Sequence, residues 1–196
     1  MTAPYTLPDS RLALQAACDM ARFYGLPSFS YAGDTDAKTL DEQWGAEAAL
    51  TTAYGSLSRA TLLHDVGYLE TGLLTSYESI VLGDELVGYA RQFMRDVPVD
   101  DYALALDEIK AVGPGGNHLG SRYTRRHHRE FWSASLFEHA MHDRWIAEGG
   151  FTLLERVRAR VAELRAAPPL FRLSAEQDAA IEDILGATLR DHAERI

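Results

Sequence analysis

The chain has 196 residues, of which 46% are hydrophobic and 24% charged, and its formal net charge at pH 7 is −10. This length is enough for one domain with a sizeable core, whereas the acidity argues against a general nucleic-acid binder, because phosphate groups repel an acidic surface. No apolar run approaches the roughly 20 residues of a membrane helix, the N-terminal segment lacks signal-peptide features, and the single cysteine, Cys18, cannot form an internal disulfide, so we expect a cytoplasmic protein without membrane contact.

Two short strands with a helix between them are predicted in the first half of the chain. The segment 26–33 has alternating aromatic residues, a leading proline and a closing glycine, which is typical of a strand. The apolar start of 60–72 favours a second buried strand, with a buried helical turn as the alternative. A helix between two strands forms a βαβ unit with parallel pairing. Because two parallel strands alone would be poorly covered, we expect part of a larger parallel sheet or barrel.

Helices are predicted over most of the remaining chain. Capping-box spacings place helix starts at Thr39, Thr75 and Ser174. The expected helices are 10–25, about 39–58, 75–97, about 102–112, about 134–147, about 150–166 and a final helix after Ser174. Two inner faces are predicted from apolar spacing, Trp44, Ala48, Tyr54 and Leu57 in the second helix and Ile181, Ile184, Leu185 and Leu189 in the last.

Charged side chains follow the first predicted strand. Asp34, Asp36 and Lys38 lie in the segment 33–38, and the loops after strands carry the chemistry of α/β folds. The alternative is the loop before a helix, where the helix dipole favours acidic residues.

A second set of polar residues follows the second predicted strand. The segment 67–78 contains two tyrosines and two glutamates, Tyr68, Glu70, Tyr77 and Glu78. Aromatic faces beside a carboxylate suit a cationic ligand such as a quaternary ammonium. The alternative is an ordinary strand-to-helix connection in which Tyr68 is packed and Glu78 caps the helix.

Adjacent histidine and aspartate residues, His64 and Asp65, end the second apolar run. The pair resembles the signature of the helical HD-type metal phosphohydrolases, in which a metal-bound water attacks a phosphate ester. That family needs a further histidine upstream, whereas His64 is the first histidine of this chain. The phosphohydrolase is therefore kept only as a further alternative.

The stretch 111–132 combines glycines with histidines, arginines and aromatic residues. His127 and His128 are adjacent and would point in different directions on a helix, so we do not expect a zinc site, which needs three or four convergent ligands. The glycines indicate a turn-rich crossing in which backbones pack closely. The arginines are expected to pair with the excess acidic residues, with an anionic partner as the alternative.

The order and spacing of these segments resemble the C-terminal region of the trimethylamine methyltransferase family. The resemblance rests on GYLETGLLTSYESIVLGDEL at 67–86 and DEIKAVGPGGNHLGSRYTRRHHREFW at 107–132, with flanking pieces at 25–38 and 145–150. It covers about residues 9 to 190. It implies an α/β fold that is the C-terminal part of a (β/α)8 TIM barrel, helix-rich, with two to three parallel strands and a helical C-terminal tail. The barrel units are expected at 1–132 and the helical extension at 133–196.

The resemblance implies methyl transfer from a methylated or quaternary amine, such as glycine betaine or trimethylamine, to the Co(I) corrinoid (cobalamin) of a partner protein. This chain itself is then expected to bind no cofactor and no metal. Co(I) is a strong nucleophile and a quaternary nitrogen departs as a neutral amine, so the barrel has to hold the cation in line with cobalt and exclude water. The trimethylamine enzymes contain pyrrolysine in this region, and this sequence has none, which favours the glycine betaine-type branch.

Carried over by position, the resemblance implies a substrate site at the C-terminal ends of the strands. His64 and Glu70 are the expected catalytic residues, with His64 orienting the substrate or facing the corrinoid. The expected substrate-binding residues are Asp34, Asp36, Lys38, Tyr68, Tyr77 and Glu78. The corrinoid partner is expected to contact His118, Arg122, Arg125 and Arg126, and a structural turn is the alternative role of His118.

The length of the chain departs from that of the family. A full barrel needs about 250 residues, so we expect a fragment or one half of a split enzyme, with the N-terminal half supplied by another chain. An inactive or truncated barrel remnant is the second hypothesis. Association into a homo-oligomer stays open.

Overall fold

The structure, a computed structural model, describes residues 6–193 and is rich in helix. The chain divides into two compact units after Val161, within a helix. The strands are β1 (Phe29–Tyr31), β2 (Leu62–His64), β3 (Tyr68–Leu69) and β4 (Leu74–Thr75). The helices are α1 (Pro8–Phe23), α2 (Glu42–Ser58), α3 (Tyr77–Phe93), α4 (Asp101–Leu104), α5 (Leu106–Val112), α6 (Arg122–His127), α7 (His142–Ala147), α8 (Leu153–Ala166) and α9 (Ala175–Ala193).

The strands β1 and β2 pair in parallel, with α2 as the crossover between them. The register pairs Phe29 with Leu62 and Tyr31 with His64. This arrangement confirms the predicted βαβ unit. The strands β3 and β4 form a separate antiparallel hairpin, so the parallel strands of the described residues number two.

Helices cover one face of the parallel pair and leave the other face open. Ser30 is buried among residues of α1 and α2. A Cβ atom added at Gly55 of α2 would lie only 2.7 Å from the carbonyl oxygen of Tyr31, so this helix packs on the strand at a distance that only glycine permits. On the opposite face, Phe29 and Leu62 are 67% and 51% exposed. One face of the strand pair is therefore covered by helices, as in a sheet of an α/β fold.

The helix starts differ by one or two residues from the predicted capping boxes. Asp41, rather than Thr39, caps α2 by accepting a hydrogen bond from the backbone N–H of Trp44. Ser76, rather than Thr75, caps α3, and the Ser79 side chain completes its capping box. Several residues near each start can serve as caps, so the spacing to a glutamate did not identify the cap. The box predicted at Ser174 is confirmed by its two bonds with Gln177.

A hydrophobic core lies between α2, α3 and the chain from 136 to 161. Its buried members are Ala37, Trp44, Ala48, Leu69, Leu82, Leu136, Val157 and Val161. The predicted burial of Tyr54 and Leu57 is wrong, since they are 49% and 60% exposed. The sheet-facing side of α2 is instead built from small residues, which allow its close approach. The predicted inner face of the last helix is also exposed at Ile181, Ile184, Leu185 and Leu189.

Two predicted helices are interrupted. The helix expected at 102–112 breaks at Ala105, whose φ of 48° lies in the left-handed region. The helix expected at 134–147 begins only at His142. A buried glutamate of α3, Glu85, accepts hydrogen bonds from the backbone N–H of Leu136 at 2.8 Å and the hydroxyl of Ser135 at 2.7 Å. These bonds hold the segment before α7 in a non-helical conformation.

The described helices include none that is both long and apolar enough to cross a lipid bilayer.

Candidate functional site

Two loops meet at the C-terminal ends of the parallel strands. The loop 32–41 follows β1 and the loop 65–76 follows β2, and we call them the strand-end loops. The backbone N–H of Glu70 donates to the carbonyl of Ala37 at 2.9 Å, and the N–H of Thr71 donates to Thr35 at 3.1 Å. The Thr71 hydroxyl also donates to Asp36 Oδ1 at 2.5 Å. The two segments that the sequence identified separately therefore form one surface.

Glu47 of α2 organises the first strand-end loop from below. Its Oε2 accepts a hydrogen bond from the hydroxyl of Thr35 at 2.6 Å and another from the backbone N–H of Asp36 at 2.8 Å. Thr35 is buried, and its hydroxyl oxygen accepts from the N–H of Ala37. Glu47 was not among the residues predicted from the sequence, because a glutamate within a helix carries no local signal of a contact with a loop 11 or 12 residues earlier.

Asp34 forms a buried ion pair with Arg11 of α1. Arg11 Nη2 lies 2.7 Å from Asp34 Oδ1 and 2.5 Å from Oδ2, and both side chains are 5% exposed. Arg11 Nη1 also donates to the carbonyl of Tyr31 at 3.2 Å. Arg11 therefore anchors Asp34 at the end of β1, and the substrate contact expected of Asp34 stays a prediction.

Asp36 and Lys38 lie closer to the surface of the same loop. Asp36 accepts hydroxyl hydrogen bonds from Thr71 and Thr6. The Lys38 ammonium is exposed and donates to the backbone carbonyl of Asp36 at 2.7 Å. The lysine charge therefore lies at the surface of this loop, which forms the rim of the site, and an approaching molecule can reach it.

His64 is the last residue of β2 and lies on the open face of the sheet. Its ring makes edge-on contacts with Tyr31 and Phe29, with centroids 4.8 and 5.7 Å away. Nδ1 of His64 lies 2.6 Å from Asp65 Oδ1, and the imidazole is 40% exposed. An ionised carboxylate only accepts hydrogen bonds, so Nδ1 carries the proton and Nε2 is the nitrogen free of Asp65.

The strand location of His64 argues against the HD-type phosphohydrolase, whose histidine and aspartate lie on helices. In residues 6–193 no three histidine, cysteine, aspartate or glutamate side chains are grouped so as to hold a metal ion.

The second strand-end loop contains three non-glycine residues in the left-handed region of backbone space. The φ angles are 74° at Asp65, 48° at Glu70 and 55° at Thr71. Such conformations cost about 1–3 kcal/mol each and cluster at functional sites. Here the hydrogen bonds from the backbone N–H groups of Glu70 and Thr71 to the first loop fix the conformation. The buried Ser79 hydroxyl also donates to the carbonyl of Gly67 at 2.6 Å. The loop is thus held in a strained shape from two sides.

The remaining predicted residues lie on this loop (Tyr68 and Glu70) and in the first turn of α3 (Tyr77 and Glu78). Tyr68 and Tyr77 are 40% and 61% exposed, whereas Glu70 and Glu78 are half-buried. With Asp36 and Asp65, the two glutamates make four carboxylates on or next to the strand-end loops that do not pair with Arg11, and Lys38 lies on the first of these loops. This charge balance favours a positively charged ligand.

The basic stretch lies on α6, away from the strands in sequence. Arg122, Arg125 and Arg126 are exposed. His118 is also exposed, and its carbonyl accepts from the N–H of Ser121 in the turn before the helix. The predicted pairing of the arginines with acidic residues is wrong for Arg122, Arg125, Arg126 and Arg129, since none forms an ion pair with a carboxylate of the described chain.

Comparison with known proteins agrees with the resemblance seen in the sequence. The family model of trimethylamine methyltransferase (MTTB) matches residues 4–188. A glycine betaine methyltransferase of Desulfitobacterium hafniense strain Y51 is 35% identical over 179 residues, which cover 89% of this chain and 37% of the relative. The trimethylamine methyltransferase MttB of Methanosarcina thermophila is 32% identical over 163 residues, covering 83% and 34% of the two chains. The chain thus spans about a third of the length of the curated relatives it matches, and it belongs to the trimethylamine methyltransferase (MTTB) family.

Proposed function

We propose that this chain forms the C-terminal sector of a (β/α)8 barrel that transfers a methyl group from a quaternary amine, such as glycine betaine, to the Co(I) corrinoid of a separate protein. The observation that carries the proposal is the parallel β1–β2 pair, which is covered by helices on one face and carries Tyr31 and His64 on the other. In a barrel, residues on this second face line the interior, and those at the strand ends line the active site. Strands supplied by the remainder of the family protein would complete it.

The chemistry of the strand-end loops fits a cationic methyl donor. Carboxylates outnumber cations on this surface, and the rings of Tyr31, His64 and Tyr68 supply aromatic faces, which attract quaternary ammonium groups. Glu70 and Glu78 would balance the positive charge of the bound amine. Asp36 and Lys38 stand at the rim, where Lys38 suits a carboxylate such as that of glycine betaine.

The corrinoid of the partner supplies the nucleophile that accepts the methyl group. This chain's contribution is to hold the donor, orient it and keep water out. His64 is the proposed orienting residue, because Asp65 holds its Nδ1–H and directs Nε2 away from that carboxylate. Arg122, Arg125, Arg126 and His118 are the proposed contacts with the partner protein, and the unpaired charges of the three arginines suit an anionic surface.

The test is an assay of methyl transfer to Co(I) cobalamin, with glycine betaine and trimethylamine as separate donors. The absorbance change of the corrinoid measures the transfer. The 196-residue chain is assayed with and without the N-terminal remainder of a family protein. We expect transfer from glycine betaine when both parts are present. Absence of transfer from both donors in both conditions would reject the proposal and favour an inactive barrel remnant.

A pair of variants tests the role of His64. His64→Ala is expected to lower the rate by about tenfold or more, which corresponds to roughly 1.4 kcal/mol of transition-state stabilisation. His142→Ala is the matched control, because His142 also neighbours an aspartate, at 3.5 Å, but its side chain is 76% exposed on α7. Equal rates of the two variants would contradict a role of His64.

A further inference from the structure

We propose that the cavity bounded by α4, α5 and α6 binds a phosphate ester. The cavity has a volume of about 320 Å3 and is lined by Tyr102, Glu108, Arg122, Tyr123, Arg126 and His127. It is distinct from the strand-end loops and shares no residue with them. The inference rests on the proposed function only for one of the two sources of phosphate considered below.

The arginines on its wall are positioned for an anion. Arg122 and Arg126 are four residues apart on α6, so their side chains project from the same face of the helix. Neither forms an ion pair with the described carboxylates, although the chain contains 29 acidic residues against 19 lysines and arginines. Arg125 and Arg129 of the same basic stretch are unpaired as well, but they do not line the cavity. The wall of the cavity therefore carries two positive charges that no described carboxylate pairs with.

A chain of hydrogen bonds fixes the wall beside the arginines. His127 Nδ1 lies 2.8 Å from Glu130 Oε1, and its Nε2 lies 2.9 Å from the hydroxyl of Tyr102. Arg126 Nη1 lies 3.5 Å from the same hydroxyl. The His127 imidazole is 17% exposed and packs on the ring of Tyr123, with centroids 4.3 Å apart. Of the two arginines, Arg126 thus contacts this chain of bonds, and a donor that is already held in place loses less entropy when a ligand binds.

The donor set fits phosphate better than a carboxylate. Two guanidinium groups offer forked pairs of N–H donors, and the tetrahedral phosphate has enough oxygens to accept from both, whereas a carboxylate has two. The rings of Tyr102 and Tyr123, with centroids 5.8 Å apart, provide an apolar wall for the group that the phosphate esterifies. The cavity volume is within the range of small-molecule sites.

One lining residue opposes an anion. Glu108 of α5 also borders the cavity, and its negative charge repels phosphate. Replacing it with glutamine removes this repulsion and is therefore expected to tighten binding. A general increase of affinity on losing a lining carboxylate distinguishes an anion site from a cation site.

The phosphate could come from a free phosphorylated compound or from the nucleotide tail of the partner's corrinoid, and two probe pairs separate these sources. The 196-residue chain is titrated calorimetrically with adenosine 5′-monophosphate against adenosine, and with cobalamin against cobinamide, which lacks the nucleotide phosphate. Ionic strength is held at about 0.15 M so that screening is equal in all titrations. Preference for the phosphorylated member of either pair supports the site and identifies its source; preference in neither pair overturns it.

Variants locate the binding. Arg122→Gln and Arg126→Gln are each expected to weaken binding of the preferred probe by about tenfold, and Glu108→Gln to strengthen it. Arg129→Gln, which removes the same charge from the same basic stretch but does not line the cavity, is expected to leave binding unchanged. Equal weakening by Arg126→Gln and Arg129→Gln would refute the assignment. These titrations need neither a methyl donor nor Co(I), so their outcome is independent of methyl transfer.

Discussion

The carboxylate of Glu85 is predicted to be a major source of stability, and Glu85→Ala tests this directly. Glu85 is 7% exposed and accepts charge-assisted hydrogen bonds from the Leu136 N–H and the Ser135 hydroxyl, with a longer bond from the Phe137 N–H at 3.5 Å. Hydrogen bonds to charged groups contribute about 1.5–3 kcal/mol each. Removing the two short ones, and leaving the buried Leu136 N–H without a partner, is expected to cost about 3–5 kcal/mol.

Urea unfolding at neutral pH measures this loss as a lower transition midpoint. Glu85→Gln keeps an acceptor oxygen but loses the charge, so we expect the free energy of unfolding to fall by about 1–2 kcal/mol. Ser135→Ala removes one of the two short bonds and should cost a similar amount. Unfolding of Glu85→Ala at the same urea concentration as the unaltered chain would contradict this role of Glu85.

The same glutamate predicts a pH dependence. Burial alone raises the pKa of Glu85, but the hydrogen bonds from Leu136, Ser135 and Phe137 outweigh it, so the pKa lies below its ordinary value of 4.5. A carboxylate with a lowered pKa in the folded state stabilises the fold fully above the unfolded-state pKa, and this contribution disappears as pH falls through the folded-state pKa. Stability should therefore decline below about pH 4.5, and less steeply in Glu85→Gln.

Two further comparisons test the packing that positions the strand-end loops. Gly55→Ala places a Cβ atom 2.7 Å from the Tyr31 carbonyl oxygen, whereas Gly45→Ala in the same helix meets nothing within 4 Å. Thermal or urea melts should show a loss of about 1–3 kcal/mol for the first and a gain of up to about 1 kcal/mol for the second; equal midpoints would contradict the close packing of α2 on β1. Asp34→Ala leaves Arg11 buried without its carboxylate partner and is expected to cost about 3–5 kcal/mol, whereas Asp19→Ala removes the exposed pair with Arg22 and an exposed hydrogen bond from Gln15 and should cost less than about 1 kcal/mol. Similar losses for the two aspartates would show that burial does not govern these pairs.

The sequence was sufficient for the parts of the fold that depend on local pattern. The parallel pairing of β1 and β2 followed from two short strands separated by a helix, and the box at Ser174 followed from its spacing to Gln177. The path of 134–141 could not be predicted in this way. Its conformation depends on Glu85, some 50 residues earlier in the chain.

Long-range contacts likewise limited the prediction of the site. The spacing of residues identified both strand-end loops, and the structure brings them together through Thr71 and Asp36. The spacing did not reveal the ion pair of Arg11 with Asp34 or the hydrogen bond from Thr35 to Glu47. The roles of His64, Glu70 and the other proposed site residues stay predictions until the variants are assayed.

The parallel pair has a consequence for the abundance of this protein in a cell. Each of β1 and β2 has one strand neighbour in residues 6–193, so each has an outer edge that no described strand covers, although the Tyr31 carbonyl of β1 accepts a hydrogen bond from Arg11. A segment that pairs with these edges stabilises the folded form by mass action. If that segment belongs to another polypeptide, the two products have to be made in matched amounts, and any surplus of this one is the fraction exposed to proteolysis.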